Sequence, residues 1–121
     1  SVYIANAANE MVRFVREVKH EGSDAIINYA SSVYLGDLLV TCYSLYSRNR
    51  MLGTMIGKGY SVKAAQLELG MVAEGYNASK CIHKTNENLK VNIPIAEIIY
   101  KIVWESLPVS EGFNTIEGLL L

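Results

Sequence analysis

LGDLLVTCYSLYSRNR, residues 35–50, is the stretch from which the fold of this chain is read. Asp37, Thr41 and Ser44 recur at steps of four and three, which puts them on one face of a helix. Leu38, Leu39, Val40 and Cys42 between them are apolar. A carboxylate in so apolar a helix costs stability unless it finds a partner. Ser47-Arg48-Asn49-Arg50 follows directly. Ser47 is a good helix N-cap, and a helix N-terminus with two guanidiniums and an amide beside it suits an anion.

Outward from this stretch the pattern stays helical. No run alternates apolar and polar residues, and there are only two prolines. The expectation is an all-α fold, a compact domain of about six to eight helices. The chain has 121 residues, half of them hydrophobic, and a net charge of −1, which suits one domain with a real core and argues against disorder. Lys and Arg are scattered rather than striped, so no nucleic-acid partner is expected. No apolar run approaches the roughly 20 residues of a membrane span. The start, SVYIANAANEM, has neither a basic n-region nor a continuous apolar core and does not read as a signal peptide. It also lacks an initiator Met, so a piece of a longer protein is expected. Cys42 and Cys81 match no zinc spacing and read as reduced core thiols of a cytoplasmic protein, with no metal site.

Residues 2–20 read as one helix with an apolar stripe of Ile4, Ala8, Met11, Val15 and Val18 and Phe14 beside it. Glu10 and Arg13 are expected to form a surface pair at i,i+3, and Asn6 and Asn9 to meet solvent or local groups. Gly22 ends that helix, Ser23-Asp24 opens a shorter one over residues 24–30, and a third runs over residues 37–43. Tyr43 to Tyr46 form a turn, and Ser47 opens a helix to residue 57 in which Gly53 and Gly57 suggest close packing. Gly57-Lys58-Gly59 is a stop and turn, with Lys58 solvated, and Ser61 caps a helix over residues 61–69. Glu74, taken alone, reads as a surface or cap residue. Residues 76–89 are helical, with Ala78, Cys81, Ile82 and Leu89 as apolar positions and His83 exposed without an acidic partner. Val91 to Ile93 form an extended link, and Pro94 starts a helix over residues 94–106 with Ile95, Ile98, Ile99, Ile102 and Val103 buried. Pro108 ends it, and residues 114–121 can form a last short helix.

Residues 35–53, LGDLLVTCYSLYSRNRMLG, resemble the signature of the bacterial NAD(P)-dependent glycerol-3-phosphate dehydrogenases. The GKGYS turn (57–61), VAEGY (72–76) and NIPIAEIIY (92–100) agree in the same order, and ANAANEM in the first helix is also similar. The likeness runs over essentially the whole chain.

The resemblance implies a two-domain enzyme whose N-terminal Rossmann domain binds the nicotinamide cofactor, NAD or NADP. Residues 1–121 would be its helical C-terminal substrate domain, of the 6-phosphogluconate dehydrogenase C-terminal-like type. No G-x-G-x-x-G follows a strand, and no lysine stands where the family's catalytic lysine lies, since Lys19 comes too late. The expectation is therefore a chain without its Rossmann domain, inactive alone. By resemblance Asp37 pairs with the absent lysine and Thr41 supports the same site. Asp37, Ser47, Arg48 and Asn49 bind substrate, the last three at its phosphate. Arg48, Val72 and Glu74 touch the cofactor. One departure is Tyr34, which stands in the approach to Asp37 where the family often has small residues, although Gly36 is kept. The implied reaction is reversible hydride transfer between NAD(P)H and dihydroxyacetone phosphate, giving glycerol 3-phosphate for phospholipid synthesis. The apolar surface that a missing partner domain leaves can drive homodimers.

Two other readings stay open on the sequence. One is a stand-alone helical interaction module without catalysis. The other is a further 2-hydroxy-acid dehydrogenase with a helical second domain, which would share the mechanism but not the Ser-Arg-Asn triplet.

Overall fold

The computed structural model describes residues 2–21, 47–71 and 73–120. The helices expected over residues 24–30 and 37–43, the turn at 43–46, and Gly22, Tyr34, Gly36, Asp37, Thr41, Cys42 and Val72 lie outside the described residues. Among the described residues there are six helices and no strand: α1 (Val2–Glu21), α2 (Arg48–Gly57), α3 (Val62–Leu69), α4 (Glu74–Leu89), α5 (Pro94–Trp104) and α6 (Val109–Leu119). The all-α expectation holds.

Local chemistry sets several helix boundaries. The Ser47 hydroxyl oxygen accepts from the Arg50 amide at 3.4 Å and starts α2. Ser61 accepts from Ala64 N at 3.0 Å and starts α3. Gly70, at φ +65°, closes α3 in the left-handed conformation that glycine adopts without steric cost. After α4 the chain turns through Lys90, also left-handed at φ 55°. Buried Asn86 holds that turn, accepting from Val91 N at 2.8 Å and donating to Val91 O at 2.9 Å. A lysine is strained in that conformation, and the Asn86 pairing holds it there.

α5 is the central helix, packed against α1, α4 and α6. Its Ile95, Ile98 and Ile102 are buried and join Leu52, Ile56, Ala65, Ala73 and Ile116 in one core. Burying such a side chain stabilises the fold by about 1.5–3 kcal/mol. Ile93, just before α5, is 1% exposed and anchors the link. Gly112 lets α6 approach: a Cβ there would come within 2.8 Å of Ile102 Cδ1 and 3.2 Å of Ile98 Cγ2.

The structure corrects six local expectations. Glu10 is buried and Arg13 turns elsewhere, donating from Nε and Nη2 to Asn92 O at 3.2 and 2.9 Å. Cys81 is exposed, because α4 turns Tyr76, Ser79, Ile82, His83 and Asn86 inward and residue 81 falls off that face. His83 is half-buried, with Nδ1 2.7 Å from Glu97 Oε2, Nε2 3.5 Å from Glu87 Oε1, and its ring stacked 3.7 Å from that of Tyr100. One partner, Glu87, lies one turn along its own helix and the other comes from α5. Gly53 and Gly57 do not serve close packing, since a Cβ at either would meet nothing within 4 Å. Ile99 is 43% exposed rather than part of the buried stripe. Finally, α6 begins at Val109 directly after Pro108, not at Asn114. Gly112, inside α6, is the close contact that seats the helix on α5.

Candidate functional site

α2 begins with the predicted anion-binding triplet. Ser47 is its N-cap, and Arg48 and Asn49 occupy its first turn, both exposed. Arg48 makes no polar contact with the other described residues. These groups offer a guanidinium, a carboxamide and a helix N-terminus together, the chemistry that holds a phosphate.

The N-terminus of α4 lies against this turn. Its N-cap residue is Ala73, which has no side chain to satisfy the first amides. The acceptor comes from Asn49, whose Oδ1 receives the Gly75 N–H at 2.7 Å. Residue 75 must be small for this contact: a Cβ there would lie 2.8 Å from Asn49 Oδ1 and 3.0 Å from its Cγ. The contact sets Glu74, exposed in the first turn of α4, beside the turn that carries Arg48. Two segments 26 residues apart, the SRN triplet and VAEGY, therefore meet.

The N-terminus of α5 is completed in the same way. Its N-cap, Ile93, offers no side-chain acceptor, and Pro94 follows. Glu10 of α1 supplies two acceptors, Oε1 from Ile95 N at 2.7 Å and Oε2 from Ala96 N at 3.0 Å. Burial pushes the Glu10 carboxyl above its ordinary range, while those two amides and the Arg13 guanidinium pull the other way. A carboxylate at a helix N-terminus is also favoured by the helix dipole.

Both tertiary caps border one cavity of about 400 Å³. Glu10, Asn49, Gly53, Gly75, Ile95 and Val103 are among its lining residues, so it sits where α1, α2, α4 and α5 converge. A larger hollow of about 800 Å³ lies by Tyr60, Ser61, Lys63 and Leu107 and is lined by none of the predicted site residues. Trp104 ties α5 to α4: its Nε1 donates to Tyr76 O at 2.8 Å, and its ring stacks 4.0 Å from that of Tyr76.

Among the sequence-predicted site residues, Ser47, Arg48, Asn49 and Glu74 are thus brought to one corner. Asp37, Thr41 and Val72 lie outside the described residues. Sequence reasoning missed Gly75 and Glu10. The signal for both was present: a helix whose N-cap is Ala or Ile must take its acceptors from another part of the chain.

A family model described as NAD-dependent glycerol-3-phosphate dehydrogenase C-terminus matches residues 1–114. The chain belongs to this family. Among similar curated proteins, the glycerol-3-phosphate dehydrogenase [NAD(P)+] of Clostridium botulinum (strain Eklund 17B / Type B) is 39% identical over 115 residues, which cover 92% of this chain and 34% of that protein. The protein of the same name from Thermoanaerobacter sp. (strain X514) is 43% identical over 84 residues, 69% of this chain and 25% of its own length. That from Clostridium tetani (strain Massachusetts / E88) is 45% identical over 71 residues, 59% of this chain and 20% of its length. The chain spans between a fifth and about a third of the length of these relatives. No solved structure matches it. Family membership agrees with the all-helical architecture and with the resemblance carried by the SRN and VAEGY segments. Among the described residues no helix is long and apolar enough to cross a membrane, and no group of three or more His, Cys, Asp or Glu could hold a metal ion.

Proposed function

We propose that this chain is the helical C-terminal domain of an NAD(P)-dependent glycerol-3-phosphate dehydrogenase. In this reading it completes the active site of an N-terminal Rossmann domain and interconverts dihydroxyacetone phosphate and glycerol 3-phosphate. The observation that carries the reading is the Asn49–Gly75 hydrogen bond, which unites the proposed phosphate-binding triplet with the segment proposed to touch the cofactor.

The chain's own residues divide the work. Arg48, Asn49 and the Ser47-capped start of α2 hold the substrate phosphate. That remote binding energy fixes the three-carbon unit so that its C2 faces the reacting centre. Asp37 holds a lysine supplied by the Rossmann domain in its charged form and aims it at the C2 oxygen, where a proton must be delivered or removed. Thr41, one turn on in sequence, supports that pair.

The exposed residues fit the part of a dinucleotide that this domain would reach. The Arg48 guanidinium suits phosphate oxygens and the Glu74 carboxylate suits ribose hydroxyls, and the resemblance adds Val72 as an apolar contact. The nicotinamide, when bound, supplies the hydride. The same reading makes the enzyme cytoplasmic. Tyr60, Leu67 and Met71, exposed on and beside α3, offer apolar surface for a homodimer.

The test is the protein as encoded, incubated with dihydroxyacetone phosphate and NADH or NADPH. Nucleotide oxidation that depends on the phosphate ester supports the proposal, and the 121 residues alone should show none. A coding sequence without a glycine-fingerprint βαβ domain before these residues, or turnover by the isolated chain, would overturn it.

A further inference from the structure

We propose that Asn49 and Gly75 form a positioning pair, in which a glycine admits the carboxamide so that the amide is locked with its NH2 end toward ligand and Glu74 is held at a fixed distance from Arg48. The inference rests on the proposed function for its kinetic consequences, but the pairing itself does not.

An asparagine at a phosphate site can present either end of its amide, and only the Nδ2 end donates to an anion. Here the Gly75 N–H, 2.7 Å away, occupies Oδ1. The opposite flip would set two donors against each other. Nδ2 is thereby the end left for an acceptor, and no described residue takes it. The same bond supplies the acceptor that Ala73 cannot, so the first turn of α4, with Glu74, is tied to the first turn of α2. Asn49 therefore serves two ligands at once, one directly and one through α4.

Gly75 is what makes this possible. Residue 75 is the second position of α4, and within a helix alanine is ordinarily favoured over glycine. A methyl at residue 75 would sit 2.8 Å from Oδ1, so it must drive the carboxamide out. The substitution should therefore change sign with its partner. With Asn49 present Gly75→Ala harms, and with Asn49→Ala the added methyl meets no carboxamide and the ordinary helical preference returns.

The test is a double-mutant cycle in the protein as encoded, read by thermal unfolding and by kinetics. Gly75→Ala should lower the unfolding midpoint in the parent and leave it unchanged or raise it in the Asn49→Ala background. Equal shifts in both backgrounds overturn the pairing. In kinetics, Gly75→Ala should raise KM for both dihydroxyacetone phosphate and the nicotinamide nucleotide by about tenfold, since both sites lose their register. Asn49→Asp keeps an acceptor for Gly75 but replaces the donor by a carboxylate that repels the phosphate. It should raise KM for the phosphate substrate by about tenfold or more while leaving the nucleotide KM and the midpoint near the parent values. Equal losses for both substrates in Asn49→Asp, or none, overturn the locked amide. If the parent protein does not oxidise the nucleotide, the dehydrogenase reading fails, and the pair is decided by the unfolding cycle.

Discussion

Removing the Glu10 carboxylate should unlatch α5 from α1. Glu10 is 3% exposed and satisfies two amides at the start of the central helix, at 2.7 and 3.0 Å. Each such hydrogen bond to a charged group is worth about 1.5–3 kcal/mol, and an orphaned buried N–H costs a similar amount. The cost of burying the charge takes part of this back, as the raised Glu10 pKa indicates. The net loss in Glu10→Ala is about 2–3 kcal/mol, which lowers the melting temperature of a chain of this size by about 10 °C. Glu10→Gln keeps one acceptor and sets an NH2 group against the second amide, so about half that loss is expected at neutral pH. The pH trend follows from the same burial. In the folded chain Glu10 keeps its proton at pH values where the unfolded chain has released it. Its stabilising contribution is therefore greatest below the ordinary value of 4.5 and is lost as pH rises through the raised value. The advantage of the parent over Glu10→Gln should narrow as pH rises from the acid side toward neutrality. Circular dichroism melts across that range are the assay. A Glu10→Ala shift under about 3 °C, or an advantage that widens with pH, would refute the tertiary cap.

Three further outcomes are expected. Gly112→Ala forces a methyl to 2.8 Å from Ile102 Cδ1 and should cost about 1–2 kcal/mol by denaturant unfolding, although alanine is the better helix former. Trp104→Phe keeps the stack on Tyr76 but removes the Nε1 donor from Tyr76 O and Ser79 Oγ, so a loss of about 1 kcal/mol is expected, measured in urea. Asp37→Asn in the protein as encoded should lower kcat with the far-ultraviolet dichroism unchanged, because it removes the charge proposed to face the lysine. Parent turnover in that variant would take Asp37 out of the reaction.

Most helices were legible in the sequence because their limits rest on local chemistry. Ser47, Ser61 and Gly70 act within one turn of themselves, and the isoleucine stripe of α5 needs only the helical period to be read. The failures are tertiary. Glu10 and Arg13 look like an i,i+3 surface pair until Pro94 brings an uncapped helix to their face. Cys81 and His83 can be judged in sequence only from their immediate neighbours, whereas the buried face of α4 is set by its packing on α5, Trp104 included. The site divides along the same line. Ser47, Arg48 and Asn49 are legible as an anion site from helix-cap and guanidinium chemistry and Glu74 only from motif resemblance, but nothing in their spacing tells that Asn49 and Gly75 touch. That contact depends on how α2 and α4 cross, which one-dimensional periodicity does not contain.

The most direct measurement compares parent and Arg48→Ala proteins, as encoded, on dihydroxyacetone phosphate and on unphosphorylated dihydroxyacetone. An arginine on a phosphate contributes about 2–3 kcal/mol, so kcat/KM for the phosphate ester, read at saturating nucleotide so that the proposed cofactor contact of Arg48 does not enter, should fall by about 30- to 100-fold, while the weak activity on dihydroxyacetone changes little. Equal losses on both substrates, or no loss on either, would contradict a phosphate site at the start of α2.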